Sequence, residues 1–113
     1  MSVLFMHKAI FIDRDGVINK KIHHMSKLEQ FEFLDEKRLC TAIRLINNNQ
    51  YLAIIVTNQP DISKGVSSWT LIDAIYKKIQ DVVSRVGAHI DAQYVCPHHP
   101  DKGFPEEIPE LKI

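Results

Sequence analysis

Tyr51-Leu-Ala-Ile-Ile-Val-Thr57 is the stretch on which the fold turns. It is too short for a globular helix, rich in β-branched residues and apolar at odd and even positions alike. A strand with that pattern is buried on both faces, as in the middle of a parallel sheet. Working outward, Ala9-Ile-Phe-Ile12 is a second short apolar run, closed by Asp13, and Ile90 to Cys96 is a third.

The segments between these strands are helical by period. Asp35 can cap a helix in which Leu39, Ala42, Ile43 and Ile46 recur at helical spacing, with Asn47-Asn-Asn49 at its end. A second helix is predicted from about Ser68 to Val86, with Leu71, Ile72, Ile75, Ile79, Val82, Val83 and Val86 as its apolar stripe and Gly87 as its stop. Residues 14 to 34 show no sustained period and are read as a loop, as are Asn58 to Ser67. The tail from Pro97 to Ile113, rich in proline and charge, is read as irregular. The order β-α-β-α-β predicts one α/β domain over residues 1–113, with a parallel sheet and right-handed crossovers.

Composition narrows the partners. Fourteen basic residues balance fourteen acidic ones in the 113 residues, so the chain lacks the net field of a nucleic-acid or anionic-membrane binder. No apolar run is long enough to span a bilayer, and the first residues lack the pattern of a secretory leader, so a cytoplasmic location is expected. Cys40 and Cys96 do not make a disulfide framework; Cys40 is read as a small hydrophobe in a helix.

Three polar motifs fall at the carboxyl ends of the three strands, where open α/β sheets place their ligand crevice. The first is Asp13-Arg14-Asp15-Gly16. Two carboxylates one residue apart beyond a buried strand can share a crevice. One can attack phosphorus while the other moves a proton, and a magnesium ion on oxygen ligands offsets the charge of an anionic ester. Asp and Gly are also ordinary turn residues; the position at a strand end raises the motif above that.

The second motif is Thr57-Asn58-Gln59, whose hydroxyl and amides can hydrogen-bond phosphate oxygens. The third is Cys96-Pro97-His98-His99-Pro100, in which Cys96 and His98 offer two zinc ligands, half of a structural site. His23 and His24 are read as solvated loop residues bordering the site, and Trp69 as a packing residue.

With these residues in hand, the chain resembles the haloacid dehalogenase superfamily, and within it the heptose-bisphosphate and histidinol-phosphate phosphatase branch. Phe11-Ile-Asp-Arg-Asp-Gly-Val-Ile-Asn19, Phe31-Glu-Phe33, Ile55-Val-Thr-Asn-Gln59 and Tyr94-Val-Cys-Pro-His-His-Pro100 carry the resemblance, in family order and over most of the chain. It implies a three-layer α/β/α Rossmann-like parallel sheet and hydrolysis of a sugar phosphate through an aspartyl-phosphate. Asp13 would then be the nucleophile and Asp15 the acid and base, with magnesium held by the Asp13 carboxylate and the Asp15 carbonyl. Thr57 and Asn58 would contact the phosphoryl group, Gln59 would lie near the substrate, and Cys96 and His98 would bind zinc.

The sequence departs from that branch in ways that bear on activity. The family's later Cys-x-Cys, Arg-Lys-Pro and Gly-Asp elements do not occur, and with them go two strands of the usual sheet, so an incomplete domain is expected. The loop after Asn19 reads Lys20-Lys-Ile-His-His24 in place of a Gly-Tyr pair. Three readings stay open beside a heptose-bisphosphate phosphatase. They are a histidinol-phosphate phosphatase, an inactive module that keeps the phosphate crevice, and a zinc-dependent interaction domain.

Overall fold

The computed structural model describes residues 8–97. Three parallel strands, β1 (Lys8–Asp13), β2 (Tyr51–Asn58) and β3 (Ala92–Cys96), form a sheet in the order β1-β2-β3. The helices α1 (Glu36–Asn48) and α2 (Trp69–Ser84) make the crossovers. The central strand is the one that reads as apolar on both faces, and Ala53, Ile54 and Ile55 are all buried there. His98, and the tail beyond it, lie outside the described residues.

Local chemistry sets the helix limits close to their predicted places. The Asp35 carboxylate accepts from Arg38 N at 3.0 Å, and the Ser68 hydroxyl accepts from Leu71 N at 3.1 Å. The first helix ends where Gln50 takes a left-handed φ of 63°. The second ends two residues before its predicted limit: Gly87 turns left-handed at φ 73°, and Ala88 N closes back on Val83 O at 3.1 Å.

The third strand starts at Ala92, two residues later than its apolar run suggests. Side chains hold the approach to it. Gln80 bonds both the N–H and the carbonyl of Ile90, and Asp91 Oδ2 accepts from Ala53 N at 2.8 Å. Ile90 is still buried in the core, so its apolarity reflects packing and not strand pairing.

Both helices pack on one face of the sheet. Leu39 and Ile43 from α1 share a single core with Ile75, Ile79 and Val83 from α2 and with Ala53 and Ile55 from β2. On the opposite face, Phe11 is 64% exposed and Tyr94 62%. The expected third layer is therefore not found among the described residues. Two right-handed crossovers that advance the sheet in the same direction must lie on the same side of it.

Residues 14 to 34 are less open than a loop reading suggests. Ile18, Met25 and Phe31 are buried in the same core, and Phe31 meets Phe33 edge-on at 5.0 Å. Asn19 bridges to Phe33, Lys20 N donates to Glu32 O at 2.9 Å, and Leu34 N donates to Ile18 O at 3.1 Å. A short 3₁₀ turn covers Leu28–Gln30. The pairing is too brief to leave a period in the sequence.

A test of the α2 stop is Gly87→Ala. A Cβ at Gly87 would meet nothing within 4 Å, so its cost is the left-handed backbone alone. Chemical denaturation should show a loss of about 1–2 kcal/mol, with Gly87→Asn costing less; an unchanged midpoint would refute the assignment.

Candidate active site

The chain leaves β1 at Asp13, opposite Val56, while β2 runs on through Thr57 and Asn58, and Asn58 lies opposite Cys96. All three motifs therefore reach the same end of the sheet. Strict pleat alternation assigns Asp13 to the face of Val56 and Thr57 to the face of Ile55. The crevice lies past the strand ends, however, and both side chains line it. It is a cleft of about 400 Å³, within the range of small-molecule sites, walled by Asp13, Asp15, Thr57, Asn58 and Gln59 and by loop residues 21–25, 60, 61 and 64.

The turn after β1 is built on one carbonyl. Arg14 O accepts from Val17, Ile18 and Asn19 N at 2.8–3.2 Å, and Gly16, at φ 82°, donates its N–H back to Asn19 O at 2.8 Å. Glycine suits that left-handed position, which a side chain would strain. None of these backbone bonds uses the Asp15 carbonyl.

The two carboxylates have opposite surroundings. Asp13 is exposed to the cleft and has no side-chain partner among the described residues. Asp15 is held on four sides. Its Oδ1 accepts from Arg14 Nε at 3.2 Å, Arg14 Nη2 at 2.9 Å and Asn19 Nδ2 at 3.0 Å, and its Oδ2 accepts from Gln59 Nε2 at 2.9 Å. Partial burial works to raise the Asp15 carboxyl. The Arg14 charge and the hydrogen bonds from Asn19, Arg14 and Gln59 outweigh it, and hold the group below the ordinary value of 3.8.

Arg14 and Asn19 are contributors that the motif reading passes over. Arg14 stands there as a spacer between two aspartates, yet it is 2% exposed and its guanidinium sits on Asp15; Asn19 is wholly buried beside it. A pair of adjacent opposite charges was the available signal, but adjacency in sequence does not reveal burial. Gln59, expected near the substrate, is 9% exposed and spends its amide nitrogen on Asp15 and on Thr57 Oγ1.

His24 is exposed at the cleft, as its solvated reading expects, and it also has a partner. It takes a left-handed φ of 56°, and its Nδ1 lies 3.0 Å from Asp61 Oδ1, so that the two loops walling the cleft touch. Trp69 is 46% exposed at the start of α2, outside the core expected for it. Asn58 is exposed at the cleft, and Gln59 N donates to Cys96 O at 2.7 Å, tying the second strand end to the third. Cys96 is an exposed free thiol, its expected zinc partner His98 lying outside the described residues. Among the described residues no three His, Cys, Asp or Glu side chains cluster as a metal site.

The donors that are present suit an oxygen-preferring divalent cation. Among the described residues the Asp13 carboxylate has no side-chain partner and the Asp15 carbonyl accepts no hydrogen bond, so the two could supply oxygens to an ion such as magnesium that keeps several waters.

Comparison with known proteins gives similar sequences and similar folds. No family model matches the chain. It is 38% identical over 99 residues to D-glycero-alpha-D-manno-heptose-1,7-bisphosphate 7-phosphatase of Burkholderia mallei, covering 87% of this chain and 51% of the relative. It is 35% identical over 91 residues to the beta-anomer enzyme of Rhodopseudomonas palustris, covering 80% of this chain and 49% of the relative. The heptose-bisphosphate phosphatase of B. bronchiseptica, crystallised with magnesium and phosphate, superposes with a TM-score of 0.73 at 28% identity, over 85% of this chain and 53% of that one. The chain is similar as well to a HAD-like phosphatase of Mesorhizobium loti, with a TM-score of 0.72 at 26% identity over 88% of this chain and 47% of that one. It spans about half the length of the curated relatives it matches. The parallel sheet described here is thus a haloacid dehalogenase-type α/β sheet. No helix among the described residues is long and apolar enough to cross a membrane.

The unequal surroundings of the two carboxylates predict unequal stabilities. Asp13→Asn removes no partner and should change unfolding free energy by less than about 0.5 kcal/mol. Asp15→Asn strands the buried Arg14 charge and should cost several-fold more. The sign with pH follows from the depressed Asp15 carboxyl. Its contribution is complete above pH 3.8, the unfolded value, and is lost as pH falls through the lower folded value. Acid titrations of wild type and Asp15→Asn should therefore converge below pH 3.8; a gap that stays constant would refute this.

Proposed function

We propose that the chain carries the nucleophile and acid–base groups of a phosphomonoester hydrolase that works with magnesium, and that the ester is a sugar phosphate of the heptose 1,7-bisphosphate kind. The single observation behind this is the pair of carboxylates in one cleft. One is exposed and has no side-chain partner among the described residues, and the other is locked by donors two residues later. The names of the relatives supply the substrate class.

In this reading an oxygen of Asp13 attacks phosphorus, a new P–O bond forms, and the bond to the leaving oxygen breaks as that oxygen takes a proton from Asp15. Water then attacks phosphorus and gives its proton to Asp15, and the bond to Asp13 breaks to release inorganic phosphate. With its carboxyl held below the ordinary value in the free site, Asp15 must take a proton from solvent as substrate binds. An anionic ester placed beside it disfavours the carboxylate and supplies that push. Thr57 and Asn58 would hold phosphoryl oxygens from the β2 end. A magnesium ion on the Asp13 carboxylate and Asp15 carbonyl would offset the charge between nucleophile and ester. We assign Cys96 and His98 to a zinc site on the strength of the third strand-end motif alone.

Phosphate release from heptose 1,7-bisphosphate with Mg²⁺, compared between wild type and Asp13→Asn, tests the proposal. The variant should lose at least about a thousandfold in rate, and acid quenching should trap a phosphorylated chain in wild type only. Equal release by both would remove Asp13 as the nucleophile. Phosphate binding without turnover in either would point instead to a phosphate-binding module, and histidinol phosphate as the better substrate would move the assignment to that branch.

A further inference from the structure

The Gln59 amide is engaged twice through one atom. Its Nε2 lies 2.9 Å from Asp15 Oδ2 and 2.6 Å from Thr57 Oγ1, and the residue is 9% exposed, with Thr57 at 7%. An amide nitrogen has two hydrogens, and these contacts use both. The opposite amide orientation would set the Gln59 carbonyl against the Asp15 carboxylate, two acceptors facing each other without a proton. The Asp15 carboxyl oxygens, which already accept from Arg14 and Asn19, therefore decide which way the amide points.

A consequence reaches Thr57. Because Gln59 donates, Thr57 Oγ1 must accept, and the hydroxyl's own hydrogen is left over. No acceptor for that hydrogen occurs among the described residues, and Thr57 lines the cleft. At the other end of the relay, Asp15 Oδ1 already accepts three bonds, from two Arg14 nitrogens and from Asn19. Oδ2 accepts one, so any proton that Asp15 takes must go to Oδ2.

We infer that Gln59, backed by Arg14 and Asn19, is a positioning residue and not a substrate ligand: it turns the Thr57 hydroxyl hydrogen toward the cleft and leaves Oδ2 as the reactive oxygen of Asp15. The inference rests on the proposed function for what those two groups meet, an anionic phosphoryl oxygen and a proton in transit. The relay of donors itself is made by this chain's own residues. A lysine at position 14 could not reproduce it, because the guanidinium puts two nitrogens on one oxygen.

The test has two arms, both on the full 113-residue chain. In the first, the side-chain amide resonances of Gln59, assigned by their absence in Gln59→Leu or Gln59→Met, are followed by NMR without ligand. Thr57→Val should shift them and Thr57→Ser should restore them; no shift in Thr57→Val would overturn the relay. In the second, inorganic phosphate is titrated in Mg²⁺ and the affinities are compared in a double-mutant cycle. Gln59→Leu should weaken phosphate about tenfold, the effect of one charge-assisted hydrogen bond. In the Thr57→Val background the same change should cost less than about twofold. Two additive losses would mean that Gln59 meets phosphate directly and would overturn the positioning role. Wild type that fails to bind phosphate would sink the proposed function, while the amide resonances would still decide the relay.

Discussion

Arg14 keeps a full positive charge almost entirely out of water, and that charge constrains everything around it. A buried guanidinium must have its counter-charge within reach, and Asp15 is the carboxylate that supplies it. Once Asp15 is held there, the Gln59 amide can point only one way, and through it the Thr57 hydroxyl. The backbone takes part as well, since the carbonyl of the same arginine gathers three N–H groups and folds the turn that carries Gly16 and Asn19. One residue between the two aspartates therefore ties the end of β1 to the end of β2.

The sheet explains why these groups can meet at all. Parallel strands bring all their carboxyl ends to one edge of the sheet, so polar residues placed just beyond each apolar run converge without further instruction. The register adds a stagger, with Asp13 stopping opposite Val56 while β2 continues to Asn58. That offset sets the aspartate turn beside the threonine and amides. The same topology leaves one sheet face carrying exposed Phe11 and Tyr94, because both crossover helices lie on the other. The relatives are about twice as long, and the described residues correspond to one part of their architecture.

Separating the two carboxylates by environment is an economical way to give like residues unlike roles. Asp13 faces the cleft with no side-chain partner among the described residues, which suits the nucleophile role proposed for it. Asp15 is surrounded by donors, which suits the acid–base role proposed for it, where position matters. The His24–Asp61 contact joins the two loops above them and narrows the space a substrate can enter.

The sequence by itself determined the periodic part of this protein. Tyr51 to Thr57 could only be a strand buried on both sides, and Leu71 to Val83 could only be the inward face of a helix. The aspartate, threonine and cysteine motifs were legible because each follows such a segment directly. What depends on contacts between residues distant in sequence was decided by the tertiary structure. The one-sided placement of both helices, the packing of residues 14 to 34, the burial of Arg14 and the double use of the Gln59 amide all belong to that class. The physical reason is that periodicity records which side of an element avoids water. Hydrogen-bond partners and buried charges are chosen only when the elements meet.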